Sequence, residues 1–287
     1  MRLEYKVVHE NPLVGENAQI GDPHVHSRVL NDAKHGSEHL LYLAEERGLD
    51  FAYIANHDST QGSEDFMRLV ENRQSKVRTG LAQEVSTTDG HLLIWGGERR
   101  IRHNMSGEQT IYEARSQHEP VAIGIAHIGY EKTHSFTLSK LEELVKIGLA
   151  PDVVEVVNGG ANLIESFRGH RLLDRIVPVR SSNEIALEYF IGGDHKVGVI
   201  GSTDAHFDGI GFITTGIPKN MTFIEAANQG KTDVRDSGKV EKVGFFDYLE
   251  HKMLEYKMAL NRHFQRNGII AYDGPAFSYN AALAEAE

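Results

Sequence analysis

The chain predicts an α/β fold built on a largely parallel sheet, and three observations carry that prediction. Short runs rich in Val, Ile and Leu alternate with longer segments of helical periodicity. Glycines follow several of the helical segments as stop signals. Residues with metal-ligand chemistry recur at the ends of the apolar runs, and in α/β folds chemistry sits at the C-terminal ends of strands.

The elements follow in order. Residues 18–26 (AQIGDPHVH) predict a strand. Residues 37–49 predict a helix with Leu40, Leu41, Leu43 and Ala44 at helical spacing and Gly48 near its end. A strand over 50–56 carries Phe51, Tyr53, Ile54 and Ala55, and a helix over 63–74 has Ser63 as its expected cap. Residues 77–87 and 91–97 predict adjacent strands joined by a turn at Thr88-Asp89-Gly90. A short helix over 110–119, a strand over 121–128, an amphipathic helix over 137–149 and a strand over 152–159 come next. Helices are expected over 161–176, 181–193, 223–231 and 246–268, and a strand over 196–206. The organisation expected is one catalytic domain over 1–235 and a C-terminal helix and tail over 236–287 packed on it.

Composition narrows the chemistry. The 287 residues carry a formal net charge of -11, with 41 Asp+Glu against 30 Lys+Arg, which argues against a duplex nucleic-acid binder. Cysteine is absent, so a metal must be held by nitrogen and oxygen ligands, and no thiol nucleophile exists. The N-terminal segment is too charged for a signal peptide, and no stretch approaches the ~18 apolar residues of a membrane helix, so a cytoplasmic protein without a membrane partner is expected. Oligomeric state is left open.

The informative residues are histidines and carboxylates. His24 and His26 sit one residue apart in GDPHVHS, and Asp204 and His206 repeat that spacing in GSTDAH. Residues i and i+2 of a strand share a face, so each pair offers two ligands side by side. His57, Glu84, His91 and His127 also fall at the ends of apolar runs. One ion suits His24, His26, Glu84 and Asp204; Glu84 can bridge to a second with His127 and His91; a third suits Asp32, His57 and His206. Imidazole and carboxylate ligands fit Zn, Mn or Fe, so one to three divalent ions are the expected cofactors. Two ions ~3.5–4 Å apart trap a hydroxide and clamp the attacking and leaving oxygens. Asp58 reads as a turn or supporting residue, and Asp22 and Glu155 as groups that orient ligating imidazoles. Arg28, on the loop past His26, is placed to clamp a phosphate, and Asn158 to contact substrate. His35 and His39, one helical turn apart, read as exposed helix residues, and His103, His118, His134, His170, His195, His251 and His263 as surface or locally bonded.

The ordered strings GDPHVHS, GLDFAYIANHDST, EVSTTDGHLL, IAHI, VEVVNG and GSTDAH resemble the PHP (polymerase and histidinol phosphatase) family of metal-dependent phosphoesterases over roughly residues 18 to 232. The opening string and the EVSTTDGH string are most similar to the stand-alone branch that includes CehA/McbA-type metallohydrolases. The resemblance implies a distorted (β/α)7 TIM-like barrel with metals at its C-terminal rim. It implies direct ligand roles for His24, His26, His57, Glu84, His127, Asp204 and His206, and matches Asp32 and His91 more loosely. The chain departs from the family in having Ala55-Asn56 before His57 in place of Thr-Asp, Pro23 in place of Leu, Ile128 in place of Pro, and no Ser-Asp-Gly over 29–35.

The expected function is hydrolysis of a small phosphorylated molecule. A metal-bridging hydroxide attacks phosphorus, Arg28 shares the transition-state charge, and His57 or His206 protonates the leaving oxygen. The alternatives are hydrolysis of a carboxylic ester, carbamate or amide with fewer ions, and a metal-binding module without turnover. Nuclease activity is disfavoured by the acidic balance.

Overall fold

The computed structural model describes residues 18–129, 135–160, 182–191, 197–206 and 208–236. Strands β1 (Gln19–Val25), β2 (Phe51–Ile54), β3 (Ala82–Ser86), β4 (His91–Gly96), β5 (Val121–Ile125), β6 (Val153–Asn158), β7 (Gly198–Ser202), β8 (Ile213–Ile217) and β9 (Asp233–Asp236) alternate with helices α1 (Ser37–Glu46), α2 (Gln61–Arg73), α3 (Gly107–Arg115), α4 (Leu138–Lys146), α5 (Ser182–Ile191) and α6 (Phe223–Asn228). A 3-10 turn covers Val29–Asn31.

The strands form two sheets, of order β2-β1-β8-β9 and β3-β4-β5-β6-β7. Parallel pairing holds for β1/β2, β5/β6 and β6/β7, whereas β3/β4, β4/β5, β1/β8 and β8/β9 are antiparallel. The expectation of one closed barrel is therefore corrected to two mixed sheets. Among the described residues, isolated bridges between Val25 and Ala205 and between His57 and Glu84 connect the two sheets. The physical reason is local: β4 returns through a tight turn, which forces it antiparallel to both neighbours, and β8 runs back against β1. The helices expected over 161–176 and 246–268, and the C-terminal segment beyond 236, lie outside the described residues.

Most elements form where the sequence places them, and shorter. The turn before β4 closes with Thr87 N–H donating to Gly90 O at 2.9 Å, and Gly90 takes φ +145°, which is closed to a side chain of ordinary handedness. Ser63 does not cap α2; Thr60 stands at that position. The Ser63 hydroxyl is buried and donates to Thr60 O at 2.8 Å and Ala82 O at 3.0 Å, tying α2 to β3. Strands β8 and β9 have no counterpart in the sequence prediction. ITTGI and DVRD carry little apolar alternation, and their strand state comes from pairing with β1 and with each other.

Strand alternation sorts the core and places the site. On β4, Leu92 and Ile94 pack toward Ile111 of α3 and Leu141 and Leu144 of α4, while Leu93 and Trp95 pack with Ala122, Ala126, Val153, Ile200, Phe51 and Phe223. The second set defines an inner face. Continuing that face by twos toward one end gives His57 after Phe51, Tyr53 and Ala55; Glu84 after Ala82; Glu155 after Val153; Ser202 and Asp204 after Ile200. His91 opens the antiparallel β4, so it reaches the same end from a strand's start.

Trp95 is the support beneath that end. It is fully buried, and its indole N–H donates to Pro23 O at 2.7 Å, one residue before His24. Gly124 makes room for the ring: a Cβ there would lie 2.7 Å from Trp95 Cη2. Replacing Trp95 with Phe removes the donor and leaves a void, at an expected cost of about 2–4 kcal/mol. Urea unfolding measures it, and an unchanged midpoint contradicts the assigned role.

Candidate metal centre

Backbone pairing at the strand ends brings the candidate ligands together. Asp204 N–H donates to His24 O at 2.9 Å and His26 N–H to Ala205 O at 3.1 Å, which lays the His24/His26 pair beside Asp204 and His206. Glu84 N–H donates to Asn56 O at 3.1 Å and Asp58 N–H to Glu84 O at 2.7 Å, which sets His57 beside Glu84. Ala126 N–H donates to His91 O at 3.2 Å, linking the β5 exit to His91. Three residues at these exits take left-handed backbone conformations without being glycine: Asp58 (φ 53°), His127 (φ 29°) and Asp204 (φ 48°). Such conformations persist only where the surroundings hold them, and they cluster at functional sites.

Glu84 occupies the middle. Its Oε1 lies 2.8 Å from His91 Nδ1 and 3.0 Å from His127 Nε2. Its Oε2 lies 3.1 Å from His57 Nε2, 3.3 Å from His26 Nε2 and 3.4 Å from His24 Nε2. Asp204 Oδ1 lies 3.0 Å from His26 Nε2 and 3.5 Å from His24 Nε2. Asp32 sits between two rings, 2.7 Å from His26 Nδ1 and 2.9 Å from His57 Nδ1, and also accepts from His57 N–H at 2.8 Å. The rings of His26 and His206 stack at 4.1 Å.

Three overlapping donor groups result: His24, His26, Glu84 and Asp204; His26, Asp32, His57 and His206; and His57, Glu84 and His91. The first is the set expected for one ion, and the second is the expected third-ion set joined by His26. His91 shares Glu84 as expected, with His57 completing that group and His127 on the same Glu84 oxygen. The nine candidate ligands thus converge on one end of the fold.

The arrangement fits cations better than it fits itself. Glu84 Oε2 and Asp204 Oδ1 are buried and take no well-formed hydrogen bond, although imidazole nitrogens surround both. A buried carboxylate oxygen left in that condition is costly. His24 Nε2 and His26 Nε2 face each other at 3.0 Å. Lone pairs from several residues thus aim into shared space, as divalent ions require.

Electrostatics agree. Burial raises the Glu84 carboxyl, but the charges of His57, His91 and His24 outweigh it and hold the group well below the usual carboxylate range. Asp32 and Asp204 are likewise held low by neighbouring imidazoles against burial. Burial pushes His24 down, yet Asp204, Glu155 and Glu84 raise it well above the ordinary imidazole value; His26 and His127 are also raised, against burial, by carboxylate neighbours. Burial lowers His91 despite Glu84. Without metal, the carboxylate neighbours therefore favour the protonated forms of His24, His26 and His127.

A second ring of groups holds the ligands. Glu155 Oε1 faces His24 Nδ1 at 3.1 Å and accepts from the Ser202 hydroxyl. Glu155 Oε2 accepts from His127 N–H at 2.6 Å and Asn158 Nδ2 at 2.7 Å. Glu155 thus orients an imidazole as expected. Asn158 does not face outward toward substrate: it is fully buried, and its amide also donates to Asp204 Oδ2 at 3.2 Å. Asp22 acts on backbone rather than on a ring, accepting from His24 N–H at 3.3 Å, Thr203 N–H at 3.2 Å, Gly211 N–H at 2.9 Å and the Thr203 hydroxyl. Burial raises its carboxyl to about 6. Asp58 Oδ1 accepts from Ser86 N–H at 2.6 Å and so shapes a turn. Asn56 bonds Ser27 through both ends of its amide, at 3.0 Å and 2.9 Å, and fixes the loop after His26. Gly62 is required beside it, because a Cβ would lie 2.6 Å from Asn56 Oδ1.

Arg28 is exposed. Ser135, 2.8 Å from His127 Nδ1, has no signal in the sequence; Ser202 and Thr203 lie inside the GSTDAH string and were open to discovery there. Among the described residues, no helix is long and apolar enough to cross a membrane.

Comparison with known proteins gives the fold. No family model matches the chain, and no curated protein does. PsfC from Pseudomonas syringae PB-5123 superposes with a TM-score of 0.52 at 16% identity, over 85% of this chain and 99% of that one. A two-domain protein from Bacteroides vulgatus, described as containing a predicted PHP-like metal-dependent phosphoesterase, superposes with a TM-score of 0.55 at 14% identity, over 78% of this chain and 67% of that one. These likenesses establish a shared mixed α/β fold.

Two outcomes follow. Glu155→Gln weakens the anchor of His24 and lowers metal affinity about 10–100-fold in chelator competition, with the fold retained; unchanged affinity contradicts the orienting role. Metal must displace protons held by His24, His26 and His127, so affinity rises with pH as these rings deprotonate. Calorimetry in buffers of different ionisation enthalpy reads the released protons, and a buffer-independent heat contradicts the assignment.

Proposed function

We propose that the protein is a metal-dependent phosphoesterase of the PHP type, acting on a small phosphorylated substrate. One observation carries the reading: five imidazoles divide between the two oxygens of a single buried carboxylate, Glu84, three on Oε2 and two on Oε1. A carboxylate shared in this way suits a centre of more than one ion. The residues proposed to hold the ions are His24, His26, Asp32, His57, Glu84, His91, His127, Asp204 and His206. Zn, Mn and Fe suit this nitrogen and oxygen set. The Bacteroides vulgatus protein's description as containing a predicted PHP-like metal-dependent phosphoesterase and the ordered strings that resemble the PHP family support the same class.

Divalent ions bound there supply an acidified water as nucleophile and positive charge opposite the phosphoryl oxygens. The chain's own residues do the rest. Asp32 fixes His26 and His57 through their Nδ1 atoms, so that each presents Nε2 to the centre. His206 faces the Asp204 carbonyl with Nδ1 at 3.0 Å, which leaves its Nε2 for the same task. His57 is the most exposed imidazole of the nine candidates, with 14% of its side chain accessible, and its ring lies 6.1 Å from that of His206. Whichever of the two is not bound to an ion would be placed to hand a proton to the leaving oxygen. Arg28, exposed on the loop past His26, receives the phosphoryl oxygens as they approach.

Three overlapping donor groups favour phosphate over carbonyl substrates, since a carbonyl needs only one polarising ion and one activated water. The test is turnover of a panel of phosphomonoesters, phosphodiesters and carboxylic esters with added Mn or Zn. Phosphate release is expected, with a loss of at least about 1,000-fold in the His24→Ala/His26→Ala double variant. Full turnover in that variant, or hydrolysis of carboxylic esters alone, refutes the proposal.

A further inference from the structure

Away from the centre, a second cluster joins His35, His39 and Asp208. His39 lies in the first turn of α1, and His35 stands one residue before that helix's cap. The two rings lie close together and tilted, with centroids 4.2 Å apart. Asp208 arrives from the loop that follows His206. Its Oδ1 lies 2.8 Å from His35 Nε2 and 2.8 Å from His39 Nε2, and the three ligand atoms all lie within 4.8 Å of one another.

Two features separate this from an ordinary surface ion pair. His35 Nε2 is itself buried and makes no well-formed hydrogen bond, although it points at Asp208. The main chain that carries Asp208 is also held independently of the two rings, because Arg47 at the other end of α1 donates to Asp208 O at 2.6 Å and to Ile210 O. The segments bearing the ligands are tied to the centre as well: Lys34 N–H donates to His206 O at 3.0 Å, and Arg28 N–H to His35 O at 2.6 Å.

We propose that His35, His39 and Asp208 form a second divalent-metal site, outside the nine-residue centre, that takes zinc or a similar borderline ion with water completing its shell. Two imidazoles and one carboxylate match the ligand chemistry of such ions, and both Nε2 atoms lie 2.8 Å from the same Asp208 oxygen. Its role is to brace: the ion ties α1 to the loop that carries His206, and the segment over 28–35 that carries Asp32 is held by the same contacts. The donors in this cluster also suit metal electrostatically. Burial lowers His35 against the pull of Asp208, with His39, Lys34 and Arg28 adding to the effect of burial.

The test uses the full chain, stripped of metal and then equilibrated with zinc, with bound zinc counted by elemental analysis. His39 is 43% exposed in its side chain, so His39→Ala leaves the fold intact, as circular dichroism verifies. Both His39→Ala and Asp208→Asn are expected to bind one zinc fewer per chain than the wild type and to retain the equivalents of the main centre. Hydrogen exchange over 208–212 is expected to slow with zinc in the wild type and not in either variant. Equal zinc counts in wild type and both variants overturn the site, and a lost equivalent without any change in exchange overturns the brace.

Discussion

The buried carboxylate of Glu84 is the constraint from which the rest of the structure follows. A carboxylate wholly removed from water is expensive unless opposite charge surrounds it. Here five imidazoles, several of them favoured in the charged form, surround it from β1, β4 and the segments that follow β1, β2 and β5. None of these segments could be displaced far without stranding a charge. The convergence of distant parts of the chain at one end is therefore an electrostatic requirement as much as a topological one.

The apolar architecture serves that requirement. Strand alternation puts Phe51, Tyr53 and Ala55 on the face that ends in His57, and Val153 on the face that reaches Glu155. Trp95 fills the space below and bonds the carbonyl beside His24. Asp22, Glu155 and Asn158 then fix the exits by hydrogen bonds that are themselves buried. Because each exit is held by several bonds, His127 and Asp204 can remain in left-handed conformations that side chains otherwise avoid.

Much of the site was legible in the sequence because its ligands follow short-range rules. His24 with His26, and Asp204 with His206, sit at strand spacing, and Glu84 ends a run whose apolar neighbours leave an acid no bland place to go. What was not legible depended on long-range pairing. Asp208 joins His35 and His39 only because the loop after β7 folds back onto α1, so those histidines read as exposed helix residues in isolation. Asn158 at a strand end looked outward, and only the positions of Glu155 and Asp204 turn it into a brace. The two-sheet arrangement was hidden for a similar reason: β8 and β9 have weak strand signals and exist through their partners. Ser63 shows the same competition at small scale, since a hydroxyl that suits a helix cap was taken by the carbonyl of Ala82.

The central claim is that the imidazole and carboxylate cluster around Glu84 is a coordination site and not merely a buried ion-pair network. A crystal of the zinc- or manganese-loaded protein, with diffraction measured on both sides of the metal's absorption edge, addresses it most directly. The account predicts anomalous peaks within coordination distance of Glu84, with His24, His26 and Asp204 bound to one of them. Rings still paired directly with carboxylates, and no anomalous signal among them, would contradict it.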